Sequence, residues 1–354
     1  MPNSMRDIRN ALVIQTAFLG DAILTLPLVQ VLKRNIPSAN VDIMVIPQVT
    51  NLLQNNSLLR EIIVFDKRGM EGGIAGLVKK IRDVRRRAYD LALVPHRSMR
   101  SALIARFGRV PVRVGFDTSA GRFLFNHVVR YEKSLHEVQR NMRLLQPLGI
   151  EERGMEYPLL FPSTDDRLAV DRMLGEAGVN ESRTVVAVAP GTIWNTKRWP
   201  VDRFAELSRK LVQQGFCVAL VGGERDVPVC SEILNKVLSS DIFSSAGKLT
   251  ILQSAELIGR CRVLVCNDSA PSHLAVAMKT PVVAIFGATV PEFGFAPYGK
   301  YDTVVETKGL PCRPCAIHGG DKCPISTFDC MVNISAETVL QNTVNALELS
   351  GSVK

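Results

Sequence analysis

The chain has 354 residues, of which 46% are hydrophobic and 22% charged, a composition that excludes a disordered protein and a length that suggests two domains. It contains no uncharged apolar run of 18 residues, so a membrane-spanning helix is not expected. The formal net charge of +9 predicts acidic partners or surfaces, but helix-turn-helix, zinc-finger and RNP signatures are missing, which argues against nucleic acid.

The start of the chain bears on location and redox state. Residues 1–7 lack the apolar segment of a signal peptide, and a strand is predicted soon after them. We therefore expect a cytoplasmic protein. In that compartment the eight cysteines should be reduced thiols or ligands rather than a disulfide framework.

Strands and helices alternate through the first half of the chain. Apolar segments predict four strands, at residues 11–16, 41–46, 61–65 and 91–94. Helical periodicity separates the strands, beginning with a helix at residues 21–35. The pattern ends at residues 151–164, where two prolines and the lack of a period indicate a linker.

Much of the positive charge lies in one part of this half. Residues 79–113 contain eleven lysines and arginines, and Arg82, Arg85 and Arg86 would share one face of a helix. Two interpretations are open. The cluster is either a solvated helix face or a face turned toward anionic lipid or an anionic substrate.

A second alternating set follows the linker. Strands are predicted at residues 184–189, 217–221, 262–266 and 282–286. Helices are predicted at residues 165–177, 201–214, 229–238, 251–259, 271–278 and 333–349.

The two sets together predict an α/β fold of two Rossmann-like, doubly wound domains that face each other across a cleft. We expect an N-terminal domain at residues 1–160, a C-terminal domain at residues 161–332 and a terminal helix at residues 333–354.

The first loop that contains a candidate functional residue leads to Asp21, at the predicted start of a helix. Two roles for its carboxylate are open. Aspartate is a favoured N-cap, because its oxygen accepts hydrogen bonds from the amides of the first turn. Alternatively, the carboxylate is a general base that removes a proton from an attacking hydroxyl.

The loop after the strand at 184–189 contains a hydroxyl and two cations, Thr192, Lys197 and Arg198. Ligands of α/β proteins gather beyond the carboxyl ends of parallel strands. There Lys197 would offset charge on a diphosphate leaving group, and Thr192 would donate to a phosphate oxygen. A solvated surface loop is the alternative.

Two further loops of the second half follow strands in the same way. Glu224 is suited to accept hydrogen bonds from ribose hydroxyls. Asp268 or Ser269 is predicted to cap the helix at 271–278, whose first amides suit a phosphate, with His273 about one turn further in. Each loop alone could be an ordinary turn. Three of them in one half favour binding of a nucleotide diphosphate.

These motifs resemble those of the ADP-heptose:lipopolysaccharide heptosyltransferases, which form glycosyltransferase family 9, and the subtype most like this chain is heptosyltransferase II. The motifs are Gly-Asp at 20–21, Pro-Gly-Thr at 190–192, Lys-Arg-Trp-Pro at 197–200, Asn-Asp-Ser at 267–269 and His-Leu-Ala at 273–275. The match runs through most of the chain, in the right order, and includes the cysteine-rich residues 311–331. It implies the GT-B class of fold.

The resemblance also implies a role for each matched position. Asp21 would be the general base, and Lys197 would hold the ADP phosphates together with Thr192. The other implied donor contacts are Glu224 at the ribose, Leu249 at the adenine, and Asp268, Ser269, Ala270 and His273 at the diphosphate or the heptose. The implied acceptor contacts are Arg97, Ser98 and Arg100.

The implied reaction is an inverting transfer of heptose from ADP-heptose to the lipopolysaccharide inner core, with no cofactor and no catalytic metal. Because this acceptor is anionic and lipid-linked, the basic cluster would dock at the cytoplasmic face of the inner membrane. The alternatives are another GT-B glycosyltransferase of cell-surface polysaccharide and a non-catalytic nucleotide-binding module. A dehydrogenase is disfavoured, because the first turn lacks G-x-G-x-x-G.

Four cysteines near the C-terminus leave one question open. Cys312, Cys315, Cys323 and Cys330 have the spacing C-x2-C-x7-C-x6-C, with His318 between them. Four thiols within nineteen residues are typical of a structural zinc site, although the second spacing is longer than usual. Reduced cysteines that only pack are the preferred interpretation.

Overall fold

The computed structural model describes residues 8–151, 154–180 and 182–351. The chain divides into two compact units, Met1–Phe161 and Pro162–Lys354.

The first unit is built on a six-stranded parallel sheet. Its strands are β1 (Asn10–Ile14), β2 (Asn40–Val45), β3 (Glu61–Val64), β4 (Leu91–Val94), β5 (Val112–Phe116) and β6 (His127–Val129). Their order across the sheet is β3-β2-β1-β4-β5-β6. β4 is buried throughout and β1 nearly so, because helices cover both faces, and this explains their continuous apolar sequences.

The helices of this unit are α1 (Leu19–Ile23), α2 (Leu26–Asn35), α3 (Gly73–Arg87), α4 (Met99–Phe107) and α5 (Glu137–Arg143). The single helix predicted at residues 21–35 is wrong, because two helices occupy that segment. Pro27 lies in the first turn of α2, where a missing amide costs nothing. At the junction, the Thr25 hydroxyl donates to the carbonyl of Asp21 at 2.8 Å.

The second unit repeats the same plan. Its strands are β7 (Val185–Ala189), β8 (Cys217–Leu220), β9 (Ile242–Ser244), β10 (Val263–Asn267), β11 (Val282–Phe286) and β12 (Thr303–Glu306). Their order is β12-β11-β10-β7-β8-β9, all parallel. Numbered within each unit, both sheets therefore have the Rossmann order 3-2-1-4-5-6.

The helices of the second unit are α6 (Thr164–Glu176), α7 (Val201–Gln213), α8 (Val227–Val237), α9 (Ile251–Arg260), α10 (Ala270–Ala277), α11 (Asp329–Val332) and α12 (Ala336–Gly351). α12 packs against α7 and against strands β10, β11 and β12. The core of this unit includes Trp199 and Phe204, whose rings meet edge to face at 4.9 Å.

The α/β class and the parallel sheets are confirmed, with element bounds mostly within two residues of the prediction. The strands that were not predicted are β5, β6, β9 and β12. β6 and β9 have three residues each, and β5 is interrupted by an arginine and a glycine. Such segments are too short or too mixed for an apolar pattern to appear.

The strand order places the chemistry in each unit. It reverses between β1 and β4 in the first sheet and between β7 and β10 in the second. Ligands of doubly wound sheets bind outside the carboxyl ends of the strands at this reversal. The loops after these four strands are therefore where each unit can hold a ligand.

In the described parts of the chain, no helix is both long enough and apolar enough to cross a membrane.

Two glycine substitutions should change stability in opposite directions. A Cβ at Gly115 in β5 would lie 2.1 Å from the buried ring of Phe125, so Gly115→Ala should cost about 1–3 kcal/mol of unfolding free energy. Gly175 in α6 has open space around it, so Gly175→Ala should stabilise by about 0.5–1 kcal/mol. Denaturant unfolding followed by circular dichroism would measure both, and wild-type stability of Gly115→Ala would contradict the packing.

Candidate active site

Asp21 lies beyond the carboxyl end of β1, at the third position of α1. The N-cap of this helix is Phe18, so the prediction that Asp21 itself begins the helix is wrong by two residues. Its carboxylate accepts a hydrogen bond from the Phe18 amide at 3.2 Å. One carboxylate oxygen therefore helps to fix the start of the helix, and the carboxylate still has acceptor capacity for another donor.

The surroundings of Asp21 make its carboxyl group a stronger base than an ordinary aspartate. Burial is the main cause and the charge of Glu137 the second, and together they raise the pKa of Asp21 to about 6. The backbone amide of Phe18 and the charge of Arg97 act in the opposite direction. A base with this pKa is ionised at pH 7 and still holds a proton more strongly than a solvated aspartate.

Glu137 belongs to a buried cluster that was not predicted. Its Oε2 accepts from the Tyr131 hydroxyl at 2.8 Å and from Arg140 Nη1 at 3.0 Å. The Arg97 guanidinium lies over the Tyr131 ring, 4.5 Å from its centroid. The cluster thus links the start of α5 to the loop after β4 and sets the charges around Asp21.

The predicted acceptor residues lie together at the start of α4, directly after β4. Ser98 is the N-cap of the helix, and its side chain makes no capping hydrogen bond. Arg97 is close enough to Asp21 to affect its pKa. Arg100 reaches the loop after β3, where its Nη1 donates to the carbonyl of Lys67 at 3.2 Å.

Lys67 adds another cation to this edge of the first sheet. Its Nζ donates to the carbonyl of Thr16, after β1, at 2.5 Å. Burial, followed by the charges of Arg68 and Arg100, lowers the pKa of Lys67. Each of these positive charges makes its neighbours less favourable in their charged form unless a counterion is present. The group therefore attracts an anion.

His96 lies among these cations as a neutral ring. Burial, followed by the charges of Lys67 and Arg97, lowers the pKa of His96 to about 4. Its Nδ1 is 3.0 Å from the hydroxyl of Thr16 and 3.3 Å from that of Ser101. His96 and Lys67 were not predicted as site residues. The available signal for Lys67 was a Lys-Arg pair just after a strand.

In the second unit, the loops after β7 and β10 meet through an ion pair. Lys197 Nζ lies 2.6 Å from Asp268 Oδ2, and both side chains are largely buried. The same carboxylate oxygen accepts from the Thr289 hydroxyl at 2.6 Å. Asp268 therefore holds Lys197 in place, and Thr289, which was not predicted, holds Asp268.

Asn267 and Trp199 fasten the same two loops through the backbone. Asn267 Oδ1 accepts from the Trp199 amide at 3.0 Å, and its Nδ2 donates to the Pro190 carbonyl at 2.8 Å. Trp199 Nε1 donates to the carbonyl of Ile334 at 3.0 Å. The loop that contains Lys197 is consequently anchored at both ends.

Asp226 connects the loop after β7 to the loop after β8. Its Oδ2 accepts from the Gly223 amide at 2.9 Å. A Cβ at Gly191 would lie 2.0 Å from Asp226 Oδ1, and one at Gly222 would lie 2.6 Å from its Cβ. Only glycine backbones can approach this carboxylate so closely. Glu224 follows these glycines in an exposed helical turn, Glu224–Asp226.

The remaining predicted donor residues lie on the same edge. The Thr192 carbonyl accepts from Arg198 Nε at 3.2 Å and from its Nη2 at 3.0 Å, so Arg198 shapes the loop. Leu249 is half-buried just before α9, and Thr250 is the N-cap of that helix.

The start of α10 differs from the predicted cap. Ser269 is the N-cap residue, but its hydroxyl donates to the Asn267 carbonyl at 3.2 Å and makes no capping hydrogen bond. Asp268, the other predicted cap, uses its carboxylate on Lys197 and Thr289. Ala270 is the first residue of the helix, and His273 is buried within it.

The cysteine-rich segment packs against the loop that contains Lys197. The Thr196 amide donates to the Gly320 carbonyl at 2.9 Å, and the Gly320 amide donates to Thr196 Oγ1 at 2.8 Å. Asn195 Nδ2 donates to the carbonyl of Asp321 at 3.2 Å. The segment therefore braces this loop from outside.

The thiols of this segment are free. Cys330 is buried, and Cys312, Cys315 and Cys323 are half-buried. Within residues 8–151, 154–180 and 182–351, no three histidine, cysteine or acidic side chains are grouped as ligands of one metal ion. The geometry therefore offers no support for the zinc interpretation.

Comparisons with known proteins show similarity to glycosyltransferases. A family model described as glycosyltransferase family 9 (heptosyltransferase) matches residues 77–320. The chain is 28% identical over 294 residues to lipooligosaccharide heptosyltransferase 2 of Haemophilus influenzae, an alignment that covers 80% of this chain and 85% of that relative.

Two solved structures resemble the chain over nearly its whole length. A family 9 glycosyltransferase from Veillonella parvula has a TM-score of 0.86 and 21% identity and covers 99% of both chains. ADP-heptose lipopolysaccharide heptosyltransferase II of E. coli has a TM-score of 0.78 and 24% identity, covering 97% of this chain and 99% of its own. These likenesses confirm the predicted GT-B class of α/β fold.

Proposed function

Because this chain belongs to glycosyltransferase family 9, the heptosyltransferases, we propose that it transfers heptose from ADP-heptose to the inner core of lipopolysaccharide, with inversion at the anomeric carbon. The observation that carries the proposal is the different chemistry at the two reversal points of strand order. One has a carboxylate base beside several cations, and the other has a lysine held by a buried carboxylate.

The first unit is suited to an anionic acceptor. Arg97 and Arg100, with Lys67 behind them, offer positive charge near Asp21, and Ser98 offers a hydroxyl at the start of α4. Phosphates or carboxylates of an inner-core acceptor would be drawn to these groups. One acceptor hydroxyl would then lie within hydrogen-bond reach of Asp21.

The second unit is suited to a nucleotide diphosphate. Lys197 would contact the diphosphate, together with the Thr192 hydroxyl and the amides at Ser269 and Ala270. Asp268 would act by orienting the lysine, because a carboxylate facing a phosphate would repel it. At the rim, Glu224 would accept from the ribose hydroxyls, Leu249 would contact the adenine, and His273 would lie behind the heptose.

The reaction is a single displacement. The acceptor oxygen bonds to the anomeric carbon as the bond from that carbon to the ADP oxygen breaks, so the configuration inverts. Asp21 takes the proton of the attacking hydroxyl, and ADP departs with the bonding electrons. Lys197 stabilises the negative charge that develops on the departing diphosphate. No residue of this chain is required to form a covalent intermediate.

The test is ADP release by the purified protein given ADP-heptose, with and without a heptose-deficient lipopolysaccharide core. We expect release that depends on the acceptor. Tight binding of ADP-heptose without release of ADP would support the nucleotide site and contradict the proposed acceptor. Turnover only with another nucleotide sugar would favour a different transferase of the same fold, and no turnover with any donor would favour a non-catalytic nucleotide-binding module.

The acceptor also bears on where the protein works. Its lipid anchor lies in a membrane, and residues 79–113 contain eleven basic side chains. We therefore propose a cytoplasmic protein that contacts the inner surface of the membrane peripherally. Attraction to anionic lipid of this kind weakens as salt screens the charges.

A further inference from the structure

α3 has two faces of different character. Gly76, Lys80 and Val84 are buried, and Val84 is part of the core under the helix. Ile74, Val78, Arg82, Arg85 and Arg86 are exposed on the opposite side. These five residues, together with Met70 just before the helix, form the outer face of α3. Its beginning is apolar and its end is basic.

The apolar part is exposed to an unusual degree. Met70 is 97% exposed and Ile74 is 81% exposed. Single exposed apolar residues are ordinary, but these two lie four residues apart on one short segment, and Val78 follows one turn later. Burial of each in an apolar medium would be favourable in proportion to its area.

The loop before α3 is ordered in a way that presents Met70. Asp66 Oδ1 accepts from the Gly69 amide at 2.9 Å, and Asp66 Oδ2 accepts from the Met70 amide at 3.0 Å. One carboxylate therefore fixes the backbone on both sides of the turn. The backbone that carries the exposed Met70 side chain is therefore held by hydrogen bonds.

The basic part has charge that the protein does not neutralise. Residues 70–87 contain six basic and two acidic side chains, a formal net charge of +4, of which Arg87 is paired with Glu61 from outside this range. Arg86 pairs with Asp83, and Lys79 pairs with Glu71. Within the described residues, Arg82 and Arg85 have no carboxylate within ion-pair distance. An anionic surface would complement them.

The position of this face relates it to the acceptor. α3 begins after β3, at the edge of the sheet where Lys67 and Asp21 lie. Met70 is three residues from Lys67, and the Arg68 guanidinium lies 5.7 Å from the centroid of the Phe18 ring. A surface that covers the start of α3 would therefore lie beside the acceptor residues.

We propose that the outer face of α3 docks on an anionic phospholipid bilayer. Met70 and Ile74 enter the boundary between headgroups and acyl chains, and Arg82, Arg85 and Arg86 contact lipid phosphates. This inference rests on the proposed function in one respect, namely that the acceptor is lipid-linked. It adds which surface makes the contact, and it adds an apolar contribution that salt does not screen.

The test is cosedimentation of the full chain with vesicles of phosphatidylcholine, alone or mixed with phosphatidylglycerol. We expect strong binding to the anionic vesicles and much weaker binding to the neutral ones. Arg82→Gln with Arg85→Gln should weaken it by roughly fivefold for each arginine. Met70→Ser with Ile74→Ser should remove the part of the binding that remains at high salt.

Two matched controls distinguish binding by this face from nonspecific binding by any exposed apolar or basic side chain. Phe123 is 72% exposed in the same unit, and Phe123→Ser should leave binding unchanged. Arg130 has a 78% exposed side chain, and Arg130→Gln should also have no effect. If either control weakens binding as much as its counterpart on α3, or if the wild-type chain does not bind anionic vesicles, the proposal is overturned. The proposal is also overturned if the outer-face variants break a dimer of this chain instead of weakening binding to vesicles.

The outcome can be told apart from failure of the proposed function. With a delipidated, water-soluble acceptor, the outer-face variants should release ADP at the wild-type rate, and with the acceptor embedded in vesicles they should be slow. Vesicle binding as described without any heptosyl transfer would refute the function and support the docking face. Transfer that is equally fast with both acceptors in every variant would refute the docking face alone.

Discussion

Asp21→Asn should lower kcat for heptosyl transfer by about a thousandfold, within the range of 10²–10⁴ that a general base contributes. The amide has nearly the same shape and can still accept from the Phe18 amide, but it cannot take a proton from the acceptor hydroxyl. Acceptor-dependent ADP release would measure the loss, and binding of ADP-heptose should remain unchanged. Near-normal turnover would show that another group is the base.

Instability would not explain such a loss. Because burial raises the pKa of Asp21 above its unfolded value, the charged form costs folding free energy as pH rises through about 6. Removing that charge should leave the variant at least as stable as the wild type at pH 8. Equal or higher thermal midpoints at that pH would confirm that the chemistry alone was changed.

The same pKa predicts the pH dependence of the wild-type enzyme. The base must be ionised to act, so kcat/KM should fall as pH drops through about 6, with ten times less activity for each further pH unit. Glu137→Gln removes a negative charge that raises the pKa of Asp21, so its profile should shift to lower pH. A pH profile that does not shift would show that Glu137 does not raise the pKa of Asp21.

Lys197→Met should lower kcat by about a hundredfold to a thousandfold and weaken binding of ADP-heptose, because a preorganised positive charge at the leaving group is lost. The lower kcat and the weaker binding of ADP-heptose would also have a second source. Asp268 would remain buried without its cation and would repel the diphosphate. Initial rates and calorimetric binding of ADP-heptose would measure both effects.

The second source can be isolated. Adding Asp268→Asn to Lys197→Met removes the repelling charge, so the double variant should bind ADP-heptose more tightly than the single variant. Lys210→Met is a matched control, since Lys210 pairs with Glu337 at 2.5 Å on an exposed surface. An effect of Lys197→Met on acceptor affinity alone would contradict the phosphate role.

Much of the fold could be predicted because buried parallel strands require apolar sequences on both faces. β1, β4, β7 and β10 met that condition and were recognised. β9 could not be recognised, because its three residues are held in the sheet by pairing with β8 rather than by a pattern of their own. The break between α1 and α2 required the local geometry around Pro27.

Candidate site residues could be predicted where they lie in the loops that follow such strands. Asp21, Lys197 and Asp268 were predicted in this way, and the structure brings the last two into contact. Glu137 and Thr289 were not, because each acts on a residue far away in sequence, and only the folded chain brings them together.

The contact of Gly320 and Asp321 with the loop that contains Lys197 has a practical consequence for studies of inhibition. The backbone amide of Phe328 is the main group that lowers the pKa of the Cys323 thiol, which makes this half-buried cysteine readier to react with electrophiles. Cys323 lies three residues after Gly320, whose amide donates to Thr196 in the loop that contains Lys197. We expect an adduct at this thiol to disturb that loop. We therefore expect thiol reagents to slow heptosyl transfer and ADP-heptose to protect against them, although no sulfur takes part in the reaction. Covalent hits from a screen should be judged by whether Cys323→Ser resists them before they are counted as directed at the substrate site.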